Sequence, residues 1–458
     1  MFLFAGIILI YLFLSYKLPD VMFWIAVTLF LDPGGYLFYY LDRSSIGGFQ
    51  VTDLNFLLLM IPLISPKANL KLFFSKRDNQ RWIFYLMLFT IFYQGFIFGY
   101  LTPGLKISTL ADALQYQRLT MWGFLVMIPA YIFFLRSYPL MIKFAFATSV
   151  LLVLLYIMRI LTGLEVIPLW THSRGLGIDA IRLSMYSYGF AYWFIYIALI
   201  IYLYHLSIPK KKWVYFIGII MAMAVLFTLT RRSILLLLFA SIIIYAIRQW
   251  HFNQNLFPLR IIRMLTAVTV FLMVVFIVSP EYISHSQAMV VNAFEVTGIS
   301  ENPASTTDGR LERDIPKHLE RFREAPVLGY GYDVKWYSNM VEDGGLSAND
   351  VPLTAALGMF GILGVSLFLF VYLKLINVMF IAYRVLKIYV KNNIIWREAI
   401  LFLILLAVLV AFITKFTINF MSLFSELITG KARVASFLNI AFFLAAKDLL
   451  IIRLKNYQ

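Results

Sequence analysis

Leu401-Phe402-Leu403-Ile404-Leu405-Leu406-Ala407-Val408-Leu409-Val410-Ala411-Phe412-Ile413 carries no polar side chain at all. Leu235 to Ile247 reads almost the same way, with Ser241 and Tyr245 as its only hydroxyls. A water-soluble core of this size cannot hide such runs. They do not alternate with a period of two, as barrel strands would, and a helix satisfies its own backbone hydrogen bonds in lipid. Similar segments recur at about 1–16, 21–41, 52–65, 82–101, 118–136, 138–163, 183–206, 213–230, 231–248 and 261–280, then at 352–375, 399–420 and 434–452. The expected fold is therefore an all-α polytopic integral membrane protein of about 12–13 transmembrane helices. Met1 to Tyr16 is read as the first of them rather than as a signal peptide, since no charge precedes it and no small-residue cleavage site follows.

Composition points the same way. The chain is 62% apolar and 14% charged, with a mean hydropathy of +0.84. A soluble domain is nearer a quarter charged. There is no cysteine, which excludes disulfides and thiolate metal sites. The net charge of +16 does not indicate nucleic acid, because no long basic tail exists and the basic residues gather in alternate connections.

Glu281 to Asp350 interrupts the apolar pattern. It holds 12 of the 23 carboxylates: Glu281, Glu295, Glu301, Asp308, Glu312, Asp314, Glu320, Glu324, Asp333, Glu342, Asp343 and Asp350. The chain thus divides into N-terminal transmembrane helices (1–280), one large, partly helical external loop (281–350) and C-terminal transmembrane helices (351–458). With that loop outside, Lys17, Lys67, Lys71, Lys76, Arg77, Arg81, Arg136, Lys143, Lys210 to Lys212, Arg248, Arg260, Arg263, Arg384, Lys387, Lys391 and Arg397 all fall in cytoplasmic connections. That is the positive-inside arrangement, with the amino terminus outside and the carboxyl terminus inside.

A short set of arginines breaks this pattern. Arg231 and Arg232 lie between two apolar runs at the outer face, Arg159 lies late in the sixth run, and Arg174 and Arg182 lie in the external segment after it. Arginine near hydrocarbon is costly unless it is paired or faces water, so each is a functional candidate; the bland alternative is snorkelling to lipid phosphates. Within the loop, Asp308 can cap a helix beginning near Gly309. Leu311, Ile315, Leu319 and Phe322 then share one face, and Arg310, Arg313, Lys317 and Arg321 another. Pro316 opposes a continuous helix there, and either a kink or a restart with Asp314 as cap would swing Arg310 and Arg313 away from Lys317 and Arg321. The basic stripe could equally be a solvated face balanced by Glu312, Asp314, Glu320 and Glu324.

No phosphate-binding Gly-x-x-x-x-Gly-Lys loop, no His-Glu-x-x-His pair and no spaced carboxylates for a metal–nucleotide complex are present. No metal or other cofactor is expected. The five histidines are scattered and read as structural. An anionic leaving group would have to be met by arginine.

Thr228-Leu229-Thr230-Arg231-Arg232-Ser233 resembles the Ser-Arg motif of the O-antigen polymerase and ligase family of bacterial polysaccharide enzymes. Asp308-Gly309-Arg310, followed by Ala325-Pro326-Val327-Leu328-Gly329-Tyr330-Gly331, is similar to that family's Gly-Arg and Pro-x-x-Gly-x-Gly loop. Asn349-Asp350-Val351-Pro352 through Gly358-Met359-Phe360-Gly361 resembles its re-entry helix, and Val51-Thr52-Asp53-Leu54 is similar as well. Ligases of the family carry a His-Asn pair before that helix, where this chain has Ser347-Ala348-Asn349-Asp350. The departure favours a polymerase.

The resemblance implies a multi-pass glycosyltransferase of the bacterial cytoplasmic membrane with its site at the outer face. It would polymerise repeat units carried on undecaprenyl pyrophosphate, for O-antigen, capsule or exopolysaccharide. Donor and acceptor glycan lipids, membrane lipids and a chain-length regulator protein are the expected partners. Arg231, Arg232, Arg313, Arg159, Arg174 and Arg182 would meet the pyrophosphate. Arg310 and Asp350 would be catalytic, with Asp350 as base or orienting group. Alternatives stay open: a ligase moving the glycan to another lipid or protein, and a flippase or transporter of lipid-linked glycan. A peptidoglycan polymerase of the shape and division type ranks lower, since its motifs are not seen.

Overall fold

The computed structural model describes residues 2–30, 51–74, 110–162, 315–329, 352–391 and 433–455, together with Arg81, Tyr85 and Met273 as single helical positions. Those residues are helical, with no strand among them. The runs expected at 183–206, 213–230, 231–248 and 399–420 lie outside the described residues, as do those at 82–101 and 261–280 apart from Tyr85 and Met273.

Helix α1 (Phe2–Lys17) and helix α2 (Pro19–Phe30) are separated only by Leu18. Pro19 stands first in α2, where its missing N–H costs no hydrogen bond, and Asp20 in the first turn suits the positive helix end. Helix α3 (Val51–Met60) runs into a 3-10 turn, Ile61–Ile64, that contains Pro62 and closes with Ser65 N–H donating to the Pro62 carbonyl. Tyr11 joins these three elements: its hydroxyl faces the carbonyls of Leu58 at 2.8 Å and Met22 at 3.3 Å. After the short helix α4 (Lys71–Phe74) comes α5 (Leu110–Thr162).

Helix α5 is interrupted at Ser137, whose φ of −139° and ψ of 30° are not helical. The break falls at the boundary between the apolar runs 118–136 and 138–163. Its cause is local: Pro139 lacks an amide donor and its ring crowds the carbonyl four residues back. Ser137 Oγ donates to the Phe133 carbonyl at 2.8 Å and accepts from Trp24 Nε1 at 2.9 Å, which ties the kink to α2.

The core lies where α2 and α5 meet helix α8 (Arg433–Lys455). Phe23 stacks on Phe133 at 4.8 Å, and Trp24 and Phe134 each meet Phe442 at 5.5 Å. Ala441, Ala445 and Ala446 are buried on α8, where small side chains let the helices approach closely. At one end of this packing, Lys67 Nζ donates to the Lys17 carbonyl at 3.0 Å, Arg136 pairs with Asp20 at 2.9 Å, and Asp448 lies 2.6 Å from the Tyr131 hydroxyl. Among the described residues Trp122–Ala147 is long and apolar enough to cross a membrane, and Gly6–Lys17 is a shorter apolar helix.

Two further helices position the site: α6 (Ile315–Glu324), in the loop segment, and α7 (Pro352–Lys391), which follows it. α6 packs on α7, and α7 packs on α8.

Candidate functional site

Helix α6 is short and strongly two-faced. Pro316 is the second residue of the described helix Ile315–Glu324, and the expected starts at Gly309 or Asp314 lie outside the described residues. Ile315, Leu319 and Phe322 are half-buried, as their helical spacing suggested, while Lys317, Glu320, Arg323 and Glu324 are exposed. The most buried side chain of the face is His318, only 1% exposed. The sequence reads the five histidines as structural, and the burial of His318 agrees with that. The available signal was its spacing, three residues after Ile315 and four before Phe322, in the middle of the apolar face.

The chain leaves α6 through a tight turn. Ala325 N–H donates to the Arg321 carbonyl at 3.2 Å, and Gly329 N–H to the Ala325 carbonyl at 2.9 Å. Gly329 has a φ of 84°, a left-handed conformation that a side chain would strain. This turn places the carbonyls of Pro326 and Val327 against α7.

Helix α7 is broken at Gly361, with φ 61° and ψ −169°, a region open essentially to glycine alone. In an unbroken helix the N–H groups of Ile362 and Leu363 would bond back to the carbonyls of residues 358 and 359. Here they donate instead to the loop carbonyls of Pro326, at 2.9 Å, and Val327, at 3.1 Å. An amide released from a helix needs another partner, and here the loop carbonyls supply it. Space is equally restrictive. A Cβ on Gly361 would collide with the Val327 carbonyl and stand 2.6 Å from Gly329 N, and a Cβ on Gly358 would stand 2.8 Å from the His318 carbonyl oxygen.

Two sequence motifs thus meet: Pro326-Val327-Leu328-Gly329 of the loop and Gly358-Met359-Phe360-Gly361 of the following helix. Arg159 lies on α5, three residues before its end at Thr162. Asp350, Arg310, Arg313, Arg231, Arg232, Arg174 and Arg182 lie outside the described residues.

Residues 216–369 match the family model described as O-antigen ligase. Over that range, about a third of the chain, the sequence is similar to the O-antigen polymerase and ligase family. The matched range holds Thr228 to Ser233, Asp308 to Arg310, Ala325 to Gly331 and Asn349 to Gly361, and so both halves of the contact just described. Family members are membrane-associated bacterial enzymes of polysaccharide and lipopolysaccharide biosynthesis that act on lipid-linked glycans. Comparison with curated proteins and with solved structures gives no match.

Proposed function

We propose that this protein polymerises oligosaccharide repeats carried on undecaprenyl pyrophosphate at the outer face of the cytoplasmic membrane. One observation carries the reading: within the range that matches the O-antigen ligase model, the loop helix sits on the helix that follows the loop. His318 lies against Gly358, and Arg310 precedes the first by eight residues as Asp350 precedes the second (318 − 310 and 358 − 350). Both candidates thus stand a short distance before the contact in sequence, which supports assigning them to one site.

In this reading the acceptor sugar hydroxyl attacks the anomeric carbon of the donor glycan. Its proton passes to the Asp350 carboxylate, a glycosidic bond forms, and the bond from the anomeric carbon to the pyrophosphate oxygen breaks. Undecaprenyl pyrophosphate leaves, and Arg231, Arg232, Arg310 and Arg313 stabilise its growing charge with forked donors. Arg159, Arg174 and Arg182 are further candidates for the same anion. The chemistry needs no metal, because guanidinium groups supply the positive charge. A chain-length regulator remains the expected protein partner.

The membrane topology receives support from two contacts. Lys17, Lys67 and Arg136 belong to three connections assigned to the cytoplasm by charge, and they lie together at one end of the helices. If straight, the 53 residues of α5 would extend about 80 Å against roughly 30 Å of hydrocarbon, so the break at Ser137 is needed for two crossings.

A ligase is the second reading, favoured by the description of the matched family model. Against it stands Ser347-Ala348-Asn349-Asp350, which lacks the histidine of the ligase pattern. Purified protein in liposomes, supplied with lipid-linked repeat units, separates the two. A ladder of longer glycans on the same lipid is the expected result. Transfer to an added lipid acceptor without elongation would replace polymerase by ligase, and unchanged glycan would reject both.

A further inference from the structure

Gly358 and Gly361 have no side chain to offer chemistry, yet they control how the loop meets α7. Three independent features converge on them. Gly361 occupies a conformation that other residues avoid. Its break frees two N–H groups, and the loop carbonyls of Pro326 and Val327 accept both. At Gly358 the helix surface is low enough for the His318 backbone to lie directly on it, with 2.8 Å to the place a Cβ would take.

We propose that Gly358 and Gly361 are positioning residues for the transfer reaction: they form a backbone clasp that fixes α6 and its turn on α7. The clasp joins the helix that follows the loop arginines in sequence to the helix that follows Asp350 in sequence. This inference rests on the polymerase reading for its catalytic consequence, though not for the clasp itself. The contact is made by main-chain atoms and has no long side chain that could absorb an error. An alanine at 358 would push the His318 carbonyl outward by roughly 0.6 Å, from 2.8 Å to ordinary contact near 3.4 Å. Displacements on the order of 1 Å in a positioned group cost about 100-fold in rate. Binding of a large glycan lipid, spread over many contacts, should respond far less.

The chain has no cysteine, so a designed pair can report on the clasp without background. Val327 and Leu363 are both solvent-accessible, and their backbones are joined at 3.1 Å. Full-length protein carrying Val327→Cys and Leu363→Cys should form an intramolecular disulfide on mild oxidation in liposomes. Adding Gly361→Ala should lower the yield several-fold. In the polymerisation assay, Gly358→Ala at equal protein level should lower kcat by about 10- to 100-fold while changing KM for the lipid-linked repeat less than about threefold. Oxidising the cysteine pair in the Gly358→Ala protein should restore much of the lost kcat. A substitution that merely harms folding would not be rescued by a bond made after folding. Should Gly361→Ala fail to accumulate, the milder Gly358→Ala carries both measurements. No disulfide in the otherwise unchanged protein, or full kcat in Gly358→Ala, overturns the proposal. A disulfide that depends on Gly361 in a protein without glycan-transfer activity supports the clasp and instead removes the polymerase reading.

Discussion

Tyr131 and Asp448 stand 317 positions apart in sequence and 2.6 Å apart in space. Both are buried, and Lys447 approaches the same carboxylate at 3.3 Å. The phenol is thus part of what makes burial of that charge tolerable. Tyr131→Phe keeps the ring and removes the donor, so it should cost about 1–2 kcal/mol, measured by unfolding in detergent. A loss below about 0.3 kcal/mol would show that Lys447 suffices. The arginines and Asp350 are tested differently, because their proposed roles concern charge in the reaction. Arg231→Lys and Arg232→Lys keep a positive charge and lose the fork; polymer output should fall at least about tenfold if the fork clamps pyrophosphate. Near-normal output would leave them as snorkelling residues. Asp350→Asn keeps size and capping ability but is no base, so turnover should collapse with donor binding retained. Full polymerisation by this variant would assign Asp350 to capping the helix at Pro352.

At the scale of elements, composition made helices legible because long apolar runs have few other solutions. Ser137 marks a break at the boundary read between the apolar runs 118–136 and 138–163. The break at Gly361 was not legible. Glycine is common inside apolar helices, and nothing local says that two amides will turn to carbonyls 36 positions earlier (362 − 326 and 363 − 327). His318 reads as structural in the sequence, but what buries it is a partner helix that spacing alone does not name. Pro316 shows how position changes meaning. In a helix interior it would cost about 3 kcal/mol, whereas in a first turn, the place that a cap at Asp314 would give it, it removes no bond and restricts the unfolded chain. Pro316→Ala should therefore change stability by less than about 1 kcal/mol and leave glycan length unaltered. Leu319→Pro, one turn later, should abolish the loop helix and the activity with it. A large loss in Pro316→Ala would mean that the proline shapes the site itself.

Across the whole molecule, charge asymmetry and geometry bear on the same question from different sides. The charge bias assigns Lys17, Lys67 and Arg136 to the cytoplasm without reference to contacts. The structure brings the same three connections together through Lys67 with the Lys17 carbonyl and Arg136 with Asp20. The end of α8 that holds Asp448 lies close by, since Tyr131 and Arg136 share the helical stretch before Ser137. One end of the packed helices is thus basic and is made of connections that charge alone puts inside. The loop helix α6, in contrast, belongs to the segment put outside. Lys67 and Arg323 are both exposed and stand in no proposed catalytic role, so each can carry a single reporter. In intact spheroplasts an impermeant maleimide should label Arg323→Cys and spare Lys67→Cys until the membrane is opened. The reverse pattern would place the loop in the cytoplasm, where lipid-linked repeats awaiting polymerisation are not presented. The arginine clamp and the Asp350 base would then have to be given up together, because both presume a site that meets its substrate at the outer face.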